Sequence, residues 1–237
     1  MSAFHHHSAE EPLCIIWDCD GTLLDTETQS SHIIADIMES VKPGAREIEF
    51  ANHSLICGMP TELWVRWMMD KAELDGLIDP EDFANRYVEG MKKAAPTFKK
   101  LRGAESLTRF FFEHGVKQYM ATSTPRSLIG SKLAPHKEMI DRFEAIVTAE
   151  DVKNGKPAPD IFLKAASIAG IPPEHCIVFE DSPLGVKGGL AAGMKVVAIA
   201  FPGSDLSKFD GACQIVEDLS QFDSVPFGLE KYVCDEE

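Results

Sequence analysis

The sequence predicts an α/β protein: a doubly wound, parallel-sheet, Rossmann-like core with an α-helical cap domain inserted after its first strand. Three observations carry this reading. From about residue 101 onward, apolar strands alternate with amphipathic helices, the pattern of parallel pairing with right-handed crossovers. Residues 26 to about 98 show helical periodicity and no strand. Four of the strands run directly into acids, hydroxyls or a loop bearing a lysine, at the edge where open parallel sheets bind ligands.

The elements follow in chain order. Residues 1–12, which contain His5, His6 and His7, form a polar tail; the histidines read as a tag remnant or solvated run rather than a metal grip. The core is expected to use residues 13–25 and 97–237, with the cap between them at 26–96. LCIIW is the opening buried strand. In the cap, Ile33, Ile34, Ile37, Met38 and Val41 share one helical face, and Leu63, Trp64, Trp67, Met68 and Leu74 repeat the pattern. A third helix has Asp79 as N-cap and Pro80 behind it, burying Phe83, Tyr87, Val88 and Met91. The tryptophan and methionine stripe reads as bundle core. LTRFFFEHG then gives a helix stopped by Gly115, VKQYMATS a strand, FEAIVT a strand, and DIFLKAASIAG a helix with Gly170 past its end. CIVFE is a strand, SPLGVKGGLAAG a helix capped by Ser182 with Gly193 as its stop, and KVVAIA and ACQIVE are the last strands.

Composition narrows the function classes. With 237 residues, 44% hydrophobic and 26% charged, the chain can bury a sizeable core. A net charge of −15 without a basic stretch makes nucleic-acid polymers and anionic membranes poor partners. No apolar run reaches the roughly 20 residues of a membrane helix. Six scattered cysteines without zinc spacing and no secretion signal suggest reduced thiols in the cytoplasm, and a monomer is favoured.

The strand ends carry the chemistry. Asp18 and Asp20 follow the first strand, Thr122 and Ser123 follow QYMA, Lys156 sits in GKPAPD beyond EAIVT, and Glu180 and Asp181 end CIVF. Several carboxylates held close together need a compensating cation or one will protonate. An all-oxygen set suits Mg2+, which keeps waters and leaves room for a phosphate oxygen. Thr122, the Ser123 backbone N–H and Lys156 are donors for an anion, and positioning with charge neutralisation is most of what phosphoryl transfer requires.

Taken in order, DCDGT (18–22), ATS (121–123), GKPAPD (155–160) and FEDSPLG (179–185) resemble the four signatures of the haloacid dehalogenase superfamily. The resemblance is to the branch of small-molecule phosphatases and β-phosphoglucomutase-like enzymes with a helical cap. It implies that Asp18 is the nucleophile and Asp20 the general acid and base. It also implies Mg2+ on the Asp18 carboxylate, the Asp20 carbonyl and Asp181, with Glu180 as ligand or helper. Thr122, Ser123 and Lys156 would hold the phosphate. Against the mutases of the branch, Ser30 stands where they carry a histidine, ICGMPTE lacks their second phosphate clamp, and Pro125 replaces a lysine although Arg126 follows. A phosphatase of a small phosphorylated metabolite is therefore expected, with a sugar mutase as the alternative. Substrate selectivity is expected from the cap near Gly58, Met59, Trp64 and Trp67, with Arg126. The texture, including PFGL near the C-terminus, resembles pseudouridine-5′-phosphate and glycerol-phosphate phosphatases. A receiver-type module would be about half this length and would have no use for the cap. A dinucleotide fold lacks its Gly-x-Gly-x-x-Gly after a strand, and a silent scaffold would have lost an acid.

Overall fold

A computed structural model describes residues 13–57, 59–201 and 204–236. Six strands form one parallel sheet in the order β5-β4-β1-β6-β7-β8: β1 (Cys14–Trp17), β4 (Lys117–Thr122), β5 (Phe143–Thr148), β6 (Cys176–Glu180), β7 (Lys195–Ile199) and β8 (Gln214–Val216). The opening strand is central, between β4 and β6, and an apolar core covers each of its faces, which is why CIIW shows no polar alternation. In register, Trp17 pairs with Met120 on one side and Phe179 on the other. The next residue continues the ladder, Asp18 N–H donating to Phe179 O at 3.0 Å.

Side chains that alternate along β1 feed two cores. Ile15 and Trp17 pack with Leu107 and Phe111 of α5 (Ala104–Glu113), while Cys14 and Ile16 pack with Phe162 and Ala166 of α8 (Asp160–Ala169). The Trp17 ring stacks on Phe179 at 4.3 Å. Its buried indole N–H donates to Gln118 Oε1 at 3.0 Å, and Gln118 Nε2 donates to Thr108 O at 2.8 Å, so no polar atom of this pair is stranded. Helix α9 (Pro183–Ala191) starts as expected, with Ser182 Oγ accepting from Gly185 N–H at 3.0 Å.

Among the described residues the cap contains four helices: α1 (Glu27–Val41), α2 (Arg46–Ile56), α3 (Thr61–Ala72) and α4 (Pro80–Ala94). They share a third apolar core in which Trp64 meets Tyr87 edge-on at 4.9 Å and Phe83 at 6.0 Å. One cap expectation is corrected. Leu63 is 59% exposed, because the inward face of α3 is Trp64, Val65, Met68, Met69 and Ala72, rotated from the expected stripe. Leu74 is buried but lies past the helix, beyond Glu73, whose left-handed φ of 53° ends it. Helix α2 has no counterpart in the sequence reading, nor has α6 (Arg126–Leu133), which packs Leu128 into the cap core. The chain enters the cap through β2 (Leu24–Asp25) and leaves through β3 (Lys99–Lys100), two strands paired antiparallel as Leu24 with Lys100 and Asp25 with Lys99.

Candidate active site

Because β1 is flanked by β4 and β6, the residues ending these three strands share one edge. Asp18, 6% exposed, receives Lys156 Nζ at 2.5 Å. Lys156 also donates to Glu180 Oε1, and Glu180 Oε2 accepts from Ser182 N–H at 2.9 Å and its hydroxyl at 3.0 Å. Glu180 is fully buried, and a Cβ added at Gly185 would fall 1.8 Å from its Oε1, so glycine there is what lets α9 approach the carboxylate. Asp181 accepts from Thr22 Oγ1 at 3.2 Å. Gly21 has φ +74°, and a Cβ there would lie 2.1 Å from Asp181 Oδ2, so the turn after Asp20 needs glycine for conformation and for space. That turn is closed by Leu23 and Leu24 N–H groups on the Cys19 carbonyl, both at 3.0 Å.

The carboxylates of Asp18, Glu180 and Asp181 bring ligand oxygens within 4.8 Å of one another. Burial pushes the Asp18 carboxyl up to about 8, with the charges of Glu180 and Asp20 adding to the effect and Lys156 opposing it. Burial, with Glu180 and Asp18, likewise drives Asp181 well above the usual carboxylate range. One lysine does not balance three acids. The excess negative charge and the all-oxygen donor set fit a hard divalent cation such as Mg2+.

Asp20 points elsewhere. Its Oδ1 accepts from Thr26 Oγ1 and Lys132 Nζ, both at 2.6 Å, and its Oδ2 accepts from Thr124 Oγ1. Burial alone would raise this carboxyl, but Lys132 and the two hydroxyls outweigh it and hold it below its ordinary value. Lys132 and Thr124 were not foreseen in the sequence. Lys132 is 2% exposed, and its ammonium is kept protonated against burial by Asp20. Lysine is rarely buried unpaired, but its partner is 112 positions away, and nothing local in RSLIGSKL marks the pairing.

A cavity between cap and sheet is lined by Asp18, Asp20, Ser123 and Asp181 from the core side. Met59 and Trp64 line it from the cap. Thr122, 1% exposed, lies just behind, its Oγ1 accepting from Thr124 N–H at 3.0 Å. Trp67 and Arg126 are not among the lining residues. Trp67 sits beneath Lys71 Nζ at 5.6 Å, and the Arg126 guanidinium donates to Asp151 at 2.6 Å. Gly58 and residues 1–12 lie outside the described residues.

Fold and site together define a doubly wound α/β protein with a helical cap over an acid-rich strand edge. A family model for haloacid dehalogenase-like hydrolases matches residues 13–193, and the chain belongs to that family. It is 34% identical over 219 residues to the Drosophila melanogaster protein named "Probable pseudouridine-5'-phosphatase", covering 90% of this chain and 93% of that one. It is 29% identical over 220 residues to (DL)-glycerol-3-phosphatase 2 of Arabidopsis thaliana, covering 91% and 90%. Among solved structures, a hydrolase from Pseudomonas syringae shares the fold with a TM-score of 0.75 at 24% identity, covering 87% of this chain and 94% of that chain. None of the described helices is long and apolar enough to cross a membrane.

Proposed function

We propose that this phosphoric monoester hydrolase cleaves a small phosphorylated metabolite in two steps through an aspartyl-phosphate on Asp18. In the first step an Asp18 carboxylate oxygen attacks phosphorus, the bond from phosphorus to the ester oxygen breaks, and Asp20 protonates the departing alkoxide. In the second, Asp20 takes a proton from water, whose oxygen displaces Asp18, releasing inorganic phosphate and restoring both acids. Asp18, Asp181 and Glu180, with the Asp20 carbonyl, are the groups that would hold Mg2+. When bound, Mg2+ neutralises charge on the acids and the phosphoryl oxygens. Lys156 offsets the charge of Asp18, while Thr122 and the Ser123 N–H donate to the phosphoryl oxygens.

The observation that carries this reading is the division of labour between the two strand-end acids. Asp18 is locked to Lys156 beside Glu180, whereas Asp20 is held apart on hydroxyls and a second lysine, facing the same cavity. A group that must exchange a proton with the leaving group and then with water is served by such a separate mooring. Hydrolysis rather than mutase chemistry is supported by Ser30, which is buried and shares a hydrogen bond of 3.1 Å with Tyr87 Oη. The names of relatives, which also include a fructose-1-phosphate phosphatase, favour a nucleoside, polyol or sugar monophosphate as substrate.

A phosphate-release screen over nucleoside monophosphates, hexose phosphates and glycerol phosphates, with and without Mg2+, tests this reading. Turnover is expected for at least one compound, and only with the metal. Asp18→Asn should abolish it and Asp20→Asn should lower it by about 10²–10⁴-fold. Near-normal turnover in Asp18→Asn would overturn the mechanism. A phosphosugar isomerised without phosphate release would overturn the phosphatase reading in favour of the mutase.

A further inference from the structure

The cap wall of the same cavity holds a second group of ligand-type side chains, of different chemistry. Glu27 opens α1, while His53 and Cys57 lie four residues apart on one face at the end of α2. Their ligand atoms all lie within 4.8 Å of one another, and all three residues line the cavity. His53 Nε2 is 2.8 Å from Glu27 Oε2, and Cys57 Sγ donates to that same oxygen at 3.1 Å. The other ring nitrogen, Nδ1, lies 2.5 Å from Glu49 Oε1. Glu49 is fully buried, and its second oxygen accepts from Ser31 Oγ at 2.6 Å.

A ring whose far nitrogen is fixed by an anchored carboxylate, leaving Nε2 turned toward another carboxylate and a thiol, is the usual second-sphere arrangement of a metal-binding histidine. We propose that Glu27, His53 and Cys57 form a three-ligand site for a zinc-class divalent cation, oriented by Glu49 and with its fourth position open to the cavity. The donor set, one carboxylate, one imidazole and one thiolate, is the kind zinc accepts and Mg2+ does not. A tetrahedral ion with bonds of about 2.0–2.3 Å sets its ligand atoms roughly 3.3–3.8 Å apart, a spacing these side chains reach by small rotations. Charge also balances. Both ring nitrogens of His53 face carboxylate oxygens, so each carries a hydrogen, and binding releases the Nε2 proton and the Cys57 thiol proton. One dication replaces two protons, and the cluster keeps its net charge beside the buried Glu49.

Co2+ added to the full-length protein in excess Mg2+ provides a test that is independent of any turnover. A thiolate-to-cobalt charge-transfer band is expected, saturating at one ion per chain, displaced by Zn2+ and unaffected by Mg2+. Cobalt on the N-terminal histidines gives no such band, because it lacks sulfur. Cys57→Ser should abolish the band and Cys213→Ser, at an exposed cysteine, should leave it intact. Glu49→Gln, which keeps all three ligands, should weaken cobalt binding about 10–100-fold. Absence of the band in the parent protein, or its survival in Cys57→Ser with the fold intact by circular dichroism, would overturn the proposal. An unchanged affinity in Glu49→Gln would overturn the orienting role of Glu49.

Discussion

Replacing Lys132 by methionine keeps the length and apolar stem of the side chain and deletes its charge. The Lys132 side chain is 3% exposed and that of Asp20 22%, so the variant leaves a largely buried carboxylate without its ion partner. Removing one member of a buried pair costs about 3–5 kcal/mol. Asp20 keeps the Thr26 and Thr124 hydroxyls and some solvent, which places the expected loss near the lower end, about 3 kcal/mol. For a chain of this size, that lowers Tm by about 6–12 °C. The kinetic effect has a definite sign. Without Lys132, burial acts on Asp20 with less opposition and its carboxyl rises. In the proposed mechanism Asp20 gives a proton in one step and takes one in the other, so both limbs of kcat against pH follow its carboxyl and move to higher pH. Thermal melts and phosphate-release kinetics across pH measure both effects. The companion variant Lys132→Met/Asp20→Asn, which carries no stranded charge, should melt above Lys132→Met alone. A Tm within about 2 °C of the parent, together with an unmoved pH profile, would refute the assignment of Lys132 to Asp20.

Gly185→Ala places a Cβ 1.8 Å from Glu180 Oε1, so the carboxylate or α9 has to move. The expected outcome is a loss of about 1–3 kcal/mol in a denaturant melt and a fall in kcat as Lys156 loses its second acid, whereas an unperturbed kcat would mean that Glu180 is dispensable. His53 responds to pH in metal-free protein. Burial would lower the ring, but hydrogen bonds with Cys57, Glu27 and Glu49 outweigh it and lift it to about 12. A histidine raised in the folded state contributes stability fully present below about 6.5 and lost as pH climbs toward its folded value, by at most about 1.4 kcal/mol per pH unit. The Tm advantage of the parent over His53→Gln, measured in EDTA, should therefore shrink steadily from pH 7 to 10, and a widening gap would contradict the ion cluster.

The sheet and the strand-end acids were legible because each is a local signal. Apolar runs of strand length stop at Asp18, Thr122 and Glu180, and Ser182-Pro183 and Gly170 mark helix ends by their own backbone preferences. What escaped was long-range or locally uncharacteristic. Helix α2 lacks an N-cap side chain, since Ala45 stands there, and it exposes Phe50 and Leu55, so REIEFANHSLI carries no clean stripe. Lys132 looks like a surface lysine until the fold brings it to Asp20, and Glu49 looks like a surface acid until His53 and Ser31 enclose it. The shift of the α3 face has the same origin, because Val65 and Met69 are as apolar as the residues expected to face inward.

The pairing of β2 with β3 bears on how such a chain can diversify. Departure and return of the inserted helices are one hydrogen-bonded ladder apart, at Leu24 and Lys100, so the ends are pinned whatever length of polypeptide runs between them. Chain-closure entropy grows only slowly with length, by about 0.6 kcal/mol for each doubling. Over evolutionary time the whole excursion could be lengthened, shortened or exchanged for another while the strand order beneath it stays the same. On this topology a new molecular diet can be acquired without relearning how to fold.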